Sequence, residues 1–133
     1  METYRKMLRA KIHRVVVTDA DLHYEGSLTI PPELLDLADI KEYEAVSVWN
    51  VTRGTRFETY AITGIRGSGN ICVNGAAAHL ATPGDILIMA AFADVPESMT
   101  DSFRPTVVFT DEKNRPVRKG IETPGPHTSG DGC

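Results

Sequence analysis

The sequence predicts a small, mostly β barrel, and three observations predict it. Short runs rich in β-branched and aromatic residues alternate apolar with polar positions. Glycine, proline and asparagine recur between these runs where turns are needed. Only two brief stretches carry helical signals, so six or seven strands and two small helices fill roughly 110 residues.

Taken in order, Lys11 to Val17 puts Lys11, His13, Val15 and Val17 on one face and Ile12, Arg14 and Val16 on the other, as a strand does. Asp19-Ala20-Asp21 reads as a turn, and Ser27 to Ile30 as a second short strand. Pro31-Pro32 then opens a helix, because the N–H that proline lacks would be unpaired in a first turn anyway. Leu34, Leu35 and Ala38 give that helix one apolar face, and it should end near Ala38 to Ile40. Ala45 to Val51 and Arg56 to Thr63 are strands joined by Thr52-Arg53-Gly54-Thr55, a hairpin whose glycine supplies a positive φ. Gly64 to Asn70 is a loop, and Ile71 to Val73 a short strand entering Asn74-Gly75-Ala76-Ala77-Ala78-His79-Leu80, a single helical turn that Asn74 is placed to cap. Pro83-Gly84-Asp85 turns the chain into the apolar strand Ile86 to Phe92, and Pro105 to Thr110 is the last strand. Residues 1–112 thus form the barrel domain. From 113 to 133 prolines and glycines crowd a polar segment that buries too little apolar surface to offset its ordering entropy, so it reads as a mobile tail.

Composition narrows the function. A chain of 133 residues favours one domain, long enough to bury a core without staples. The net charge of -4 argues against general nucleic-acid binding, which needs phosphate-neutralising basic surface. Cys72 and Cys133 have neither the CxxC spacing of a zinc or redox site nor a framework of partners, which fits a reduced cytoplasmic setting. The opening residues carry Arg5, Lys6, Arg9 and Lys11 and no apolar signal core, and the longest apolar run, Ile86 to Ala93, is far short of the roughly 20 residues that span a bilayer. No membrane role is expected. His23 and His79 have no companion cysteine or carboxylate cluster, so no metal is expected either.

Three segments carry chemistry. They are Lys11-Ile12-His13-Arg14 with Leu22-His23-Tyr24-Glu25-Gly26-Ser27; Trp49-Asn50-Val51-Thr52 with Arg56-Phe57-Glu58-Thr59-Tyr60; and Val73-Asn74-Gly75-Ala76-Ala77-Ala78-His79. In this order and spacing the chain resembles the bacterial aspartate 1-decarboxylase family from about Arg5 to Phe109. The resemblance implies a double-psi β-barrel, a homotetramer with active sites between subunits, and self-cleavage of the Gly26-Ser27 bond. The products would be a β chain of residues 1–26 and an α chain of residues 27–133 that begins with a pyruvoyl group made from Ser27. The activity implied is decarboxylation of L-aspartate to β-alanine, for pantothenate and coenzyme A, in the cytoplasm. Either the cut is spontaneous or a helper protein acts as maturation factor.

The residues support this chemistry on their own terms. A serine hydroxyl can reach the preceding carbonyl carbon when the backbone is bent, and glycine before it admits conformations closed to other residues. A strained peptide would contribute about 1–3 kcal/mol towards the cut. Attack exchanges an amide for an ester, β-elimination leaves dehydroalanine, and hydrolysis gives pyruvoyl and ammonia. Yet Gly-Ser is an ordinary turn dipeptide, and a second copy, Gly67-Ser68, sits in an evident loop. Tyr60, which matches the family's catalytic tyrosine, is the candidate proton donor that the resemblance implies. Arg56 shares its strand face, so both should look into one pocket, where a guanidinium could grip a substrate carboxylate with two hydrogen bonds. Lys11 is the second cation, with a solvated strand-edge charge as the plainer alternative.

Thr59 points to the opposite face in a regular strand; in the cut it would polarise the scissile carbonyl, as an oxyanion hole does. Gly75, Ala76 and Ala77 match the family's substrate-binding stretch, their small side chains letting substrate reach the backbone amides. Asn74 would fix the processing geometry, and His13, Tyr24, Trp49 and Ile88 would line or support the pocket, although each alone is more often packing. Two alternatives stand beside the enzyme: a non-enzymatic barrel that binds a ligand or partner, and an inactive homologue.

Overall fold

The computed structural model describes residues 1–125. The expected barrel class is observed: the described residues form a mostly β structure with one short α-helix, in an arrangement consistent with a double-psi β-barrel. The strands are β1 Tyr4–Val16, β2 Asp19–Asp21, β3 Leu28–Ile30, β4 Ala45–Asn50, β5 Arg56–Thr63, β6 Cys72–Asn74, β7 Ile86–Pro96, β8 Thr106–Thr110 and β9 Pro116–Gly120. They run in the order β2-β6-β3-β5-β4-β7-β1-β8-β9. The β1–β8, β2–β6 and β3–β5 pairs are parallel and the rest antiparallel. Register shifts between Leu8 and Ala10 and between Ile12 and Val15 bend β1, and Arg14 takes a φ of 69° in the second.

The core follows the predicted alternation. Ile12 and Val15 of β1, Leu28 and Ile30 of β3, Val46 and Val48 of β4, and Leu87 and Met89 of β7 are fully buried together. Helix α1 spans Pro32–Ala38 and buries Leu34, Leu35 and Ala38 against this core, ending where Asp39 turns left-handed at φ 56°. The β4–β5 hairpin closes with Gly54 at φ 78°, as the sequence required.

Three expectations change. β1 begins at Tyr4 rather than Lys11, because pairing with the long β7 carries charged residues that local composition does not favour in a strand. Asp19-Ala20-Asp21 is not a turn but strand β2, lying parallel to β6. The segment read as a tail from residue 113 starts as structure. Buried Asn114 bonds to both backbone groups of Val16 and to the Gly69 carbonyl, and β9 then pairs with β8. Composition argued against burial, and β9 is indeed mostly exposed. An edge strand needs little burial, and proline is tolerated as its first residue. Residues 126–133, including Cys133, lie outside the described residues.

One buried polar cluster holds two turns together. Asp85 is only 4% exposed and accepts hydrogen bonds from Asn50 Nδ2 at 2.9 Å, Arg53 Nε at 2.6 Å and the Thr82 backbone at 3.0 Å. Burial alone would raise its pKa, but the donors of Asn50, Thr82 and Arg53 outweigh it and hold the carboxylate below its ordinary range. A carboxylate so depressed stabilises the fold above its unfolded pKa of about 3.9, and that contribution is lost as pH falls through the lower folded value. Asp85→Asn should therefore cost about 1–3 kcal/mol at pH 7, with the gap to wild type closing as the medium is acidified below roughly pH 4. Urea melts at several pH values measure it, and a gap equally wide at pH 7 and pH 3 would reject this account.

Candidate active site

The sheet order brings distant segments of the sequence to one place. β3 lies between β5 and β6, with Leu28 opposite Ala61 on one side and Val73 on the other. Residues just before Leu28 therefore meet the middle of β5 and the end of β6. A cavity of about 370 Å³ opens there. Gly26 and Ser27 form one wall, Phe57, Glu58 and Thr59 of β5 a second, and Asn74 with Gly75, Ala76, Ala77 and Leu80 a third. Gly75–His79 is a 3₁₀ helix, the predicted single turn.

Two glycines are required here for different reasons. Gly75 adopts φ 65°, which disfavours any side chain. Gly26 does not take a positive φ. Its constraint is space: a β-carbon on it would lie 2.6 Å from Asn74 Cβ and 2.9 Å from the Asn74 carbonyl carbon. The glycine before Ser27 thus allows close approach of a neighbouring chain segment, not the unusual backbone conformation expected from sequence.

Ser27 is 3% exposed, and its hydroxyl is buried with no hydrogen-bond partner among the described residues. An unpaired buried hydroxyl is costly and uncommon, and here it leaves Oγ uncommitted beside the Gly26 carbonyl carbon. That carbonyl accepts a hydrogen bond from the Tyr60 hydroxyl at 2.9 Å. The Ser27 carbonyl is fixed in turn by the Asn74 backbone N–H at 3.0 Å. Asn74 makes no side-chain cap on the 3₁₀ helix; its Nδ2 donates to Thr29 Oγ1 at 3.5 Å.

Within one chain Phe57, Glu58 and Thr59 of β5 line the cavity, and neither Arg56 nor Tyr60 is among its lining residues. Tyr60, 41% exposed, reaches the Gly26 carbonyl from the alternate face, while Thr59 lines the cavity. Arg56 instead lies over the Trp49 ring at 5.6 Å, and Trp49 pairs with Arg56 on β5 and Ile88 on β7. Those three residues form one row across β5, β4 and β7, away from the Ser27 cavity lining.

Lys11 and His13 line a different cavity of about 220 Å³ with Phe109, Arg118, Glu122 and Thr123. Lys11 Nζ is 3.3 Å from Glu122 Oε1. Burial first, then the Lys11 and Arg14 charges, push His13 below the ordinary imidazole range, so it is neutral at pH 7. Tyr24 is exposed, with its side chain in a hollow beside Asp19, Thr29 and Cys72. Burial and nearby Asp19 push the Cys72 thiol up, which makes it a poor nucleophile.

One chain therefore gathers Gly26, Ser27, Thr59, Tyr60, Asn74, Gly75, Ala76 and Ala77. It does not gather Lys11, His13, Trp49, Arg56 or Ile88 with them. Phe57, Glu58 and Leu80 were missed as lining residues. The β5 alternation could have found Phe57, once Thr59 rather than Tyr60 was known to face the cavity. Among the described residues no three His, Cys, Asp or Glu side chains gather as a metal site, and no helix is long and apolar enough to cross a membrane.

The family model described as aspartate decarboxylase matches residues 3–117. A protein of Legionella pneumophila (strain Paris) named aspartate 1-decarboxylase is 60% identical over 129 residues, covering 93% of this chain and 97% of that relative. Proteins of the same name from Rhodopirellula baltica and Myxococcus xanthus are 56% and 57% identical, covering 96% and 92% of this chain and 82% and 95% of their own lengths. With more than half its length matched by the family model and relatives this similar, the chain belongs to the aspartate decarboxylase family.

Proposed function

We propose that this protein is a self-processing carboxy-lyase that converts L-aspartate to β-alanine and carbon dioxide, for pantothenate synthesis in the cytoplasm. The observation that carries the processing step is the Ser27 hydroxyl, buried and unpartnered beside a Gly26 carbonyl that Tyr60 already holds. Ser27 Oγ attacks the Gly26 carbonyl carbon, its proton passing to the departing amide nitrogen, and the amide becomes an ester. The Tyr60 hydroxyl stays on the oxygen where negative charge develops. Loss of the Ser27 α-proton then expels the Gly26 carboxylate, and water converts the remaining dehydroalanine to pyruvoyl and ammonia.

The surroundings fit that group. The Gly26 wall has no room for a side chain, and the only hydroxyl it must come from has no competing partner among the described residues. The pyruvoyl ketone supplies an electron sink to the substrate's amine-bearing carbon as carbon dioxide leaves. The chain's own residues do the rest. The Gly75–Ala77 backbone holds substrate against residue 27, and Thr59 closes the cavity wall. Tyr60, hydrogen-bonded at the bond to be cut, returns a proton to the α-carbon.

The retained substrate carboxylate needs a cation, and neither Lys11 nor Arg56 lines the Ser27 cavity of its own chain. This supports a homotetramer in which a neighbouring subunit brings Lys11, Arg56 and the Trp49 and Ile88 row to the site, with His13 and Tyr24 as support.

Intact mass under denaturing conditions, before and after warming, tests the reading. Two fragments meeting at Gly26/Ser27, the larger with a pyruvoyl terminus, are expected, directly or after addition of host-cell extract as a source of maturation factor. A single uncut mass under every condition would leave a ligand-binding barrel in its place. Native mass of the same sample reads the assembly, and a monomer that decarboxylates aspartate would rule out the shared site.

A further inference from the structure

The Trp49-Asn50-Val51-Thr52 segment contains a buried residue that the proposed chemistry does not use. Asn50 is 3% exposed. Its Nδ2 donates to the Leu80 carbonyl at 3.1 Å as well as to Asp85. Thr55 Oγ1 donates to the same Leu80 carbonyl at 2.7 Å. Leu80 is the C-terminal cap of the 3₁₀ helix Gly75–His79, and both it and the helix line the Ser27 cavity.

These two hydrogen bonds to one carbonyl matter because packing does little to hold that helix. None of Gly75–His79 is buried, and Ala77 alone packs partly against the core. A five-residue 3₁₀ helix has little stability of its own. Its N-terminal end is tied to the Ser27 carbonyl through the Asn74 backbone. Its C-terminal end is tied through Leu80 to Asn50 and Thr55 at the mouth of the β4–β5 hairpin. The Asn50 side chain cannot swing away easily: Oδ1 accepts from the Arg53 backbone at 3.0 Å while Nδ2 is shared with Asp85.

We infer that Asn50 and Thr55 are positioning residues that latch the Gly75–Ala77 backbone at the distance from residue 27 that substrate binding requires, with Asp85 orienting Asn50. The inference rests on the site proposed above and adds residues that touch neither substrate nor the bond to be cut.

Thr55→Val, which removes the hydroxyl and keeps the shape, tests it in the full chain, beside Thr55→Ser and Asn50→Ala. Processed Thr55→Val should raise KM for aspartate about threefold to tenfold, the worth of one hydrogen bond, with kcat within about twofold. Thr55→Ser, which keeps the donor, should restore wild-type KM. Hydrogen exchange should be faster over residues 75–80 in Thr55→Val and Asn50→Ala than in wild type. Unchanged exchange there, or faster exchange with KM unmoved in Thr55→Val, would overturn the latch even if Tm falls. If wild type itself fails to turn over aspartate, the site reading falls, and exchange over 75–80 alone decides whether Asn50 and Thr55 hold the helix.

Discussion

Ser27→Ala should leave the chain in one piece and reduce decarboxylation to background. The expectation follows from what the hydroxyl does in the fold. Ser27 Oγ makes no hydrogen bond among the described residues and is buried against the cavity wall, so removing one oxygen breaks no contact the barrel uses. The backbone bond from Asn74 to the Ser27 carbonyl survives the substitution. Stability should hold or improve slightly, since an unpaired buried polar group is a cost to the folded state. The loss is therefore chemical: with no hydroxyl there is no ester, no elimination and no ketone. The second Gly-Ser pair is the control. Gly67 has a φ of 78° with open space around it, and Ser68 Oγ accepts a hydrogen bond from the Asn70 backbone at 3.2 Å in an exposed loop. Ser68→Ala should cut and turn over normally. Denaturing gels, intact mass and a β-alanine assay on both variants decide the matter, and a Ser27→Ala protein that still releases carbon dioxide from aspartate would sink the mechanism.

Much of this was legible in the sequence, for reasons that are local. The Pro31-Pro32 helix start, the Gly54 hairpin and the alternating core of β4 and β5 are decided by residues within a few positions of each other, and the structure has them where periodicity put them. What was not legible depends on partners far away in the chain. Asp19-Ala20-Asp21 is a strand only because Cys72–Asn74 lies beside it. β9 exists because Asn114 is pinned to Val16 and Gly69 before the strand begins. The site shows the same division. Gly26, Ser27 and Asn74 were identified as residues, but the reason for glycine at 26, a 2.6 Å approach of Asn74, needs both segments in space. Alternation puts Arg56 and Tyr60 on one strand face, yet cannot say which residues of β5 the cavity takes in. That depends on where β3 enters the sheet.

Tyr60→Phe should separate the two reactions that share this cavity. In the uncut chain the Tyr60 hydroxyl donates to the Gly26 carbonyl, the group on which the cut proceeds. Losing that bond slows an event that must occur once per molecule, so warmed Tyr60→Phe protein should still accumulate the two fragments. Turnover is different, because a proton must be delivered to the α-carbon in every cycle. Positioned acids of this kind contribute about 10²- to 10⁴-fold, and kcat should fall by that order while aspartate affinity changes little. The fold should tolerate the change: Tyr60 is half-exposed, and its ring, 6.4 Å from that of Tyr43, is kept by phenylalanine. The measurement is single-turnover and steady-state kinetics on Tyr60→Phe protein already shown by mass to be processed. Wild-type kcat in that sample would remove Tyr60 from the donor role and move it to whichever other hydroxyl or bound water reaches residue 27. Uncut protein after prolonged warming would instead make the hydrogen bond to Gly26 indispensable to maturation, and Tyr60 would act first on the chain itself.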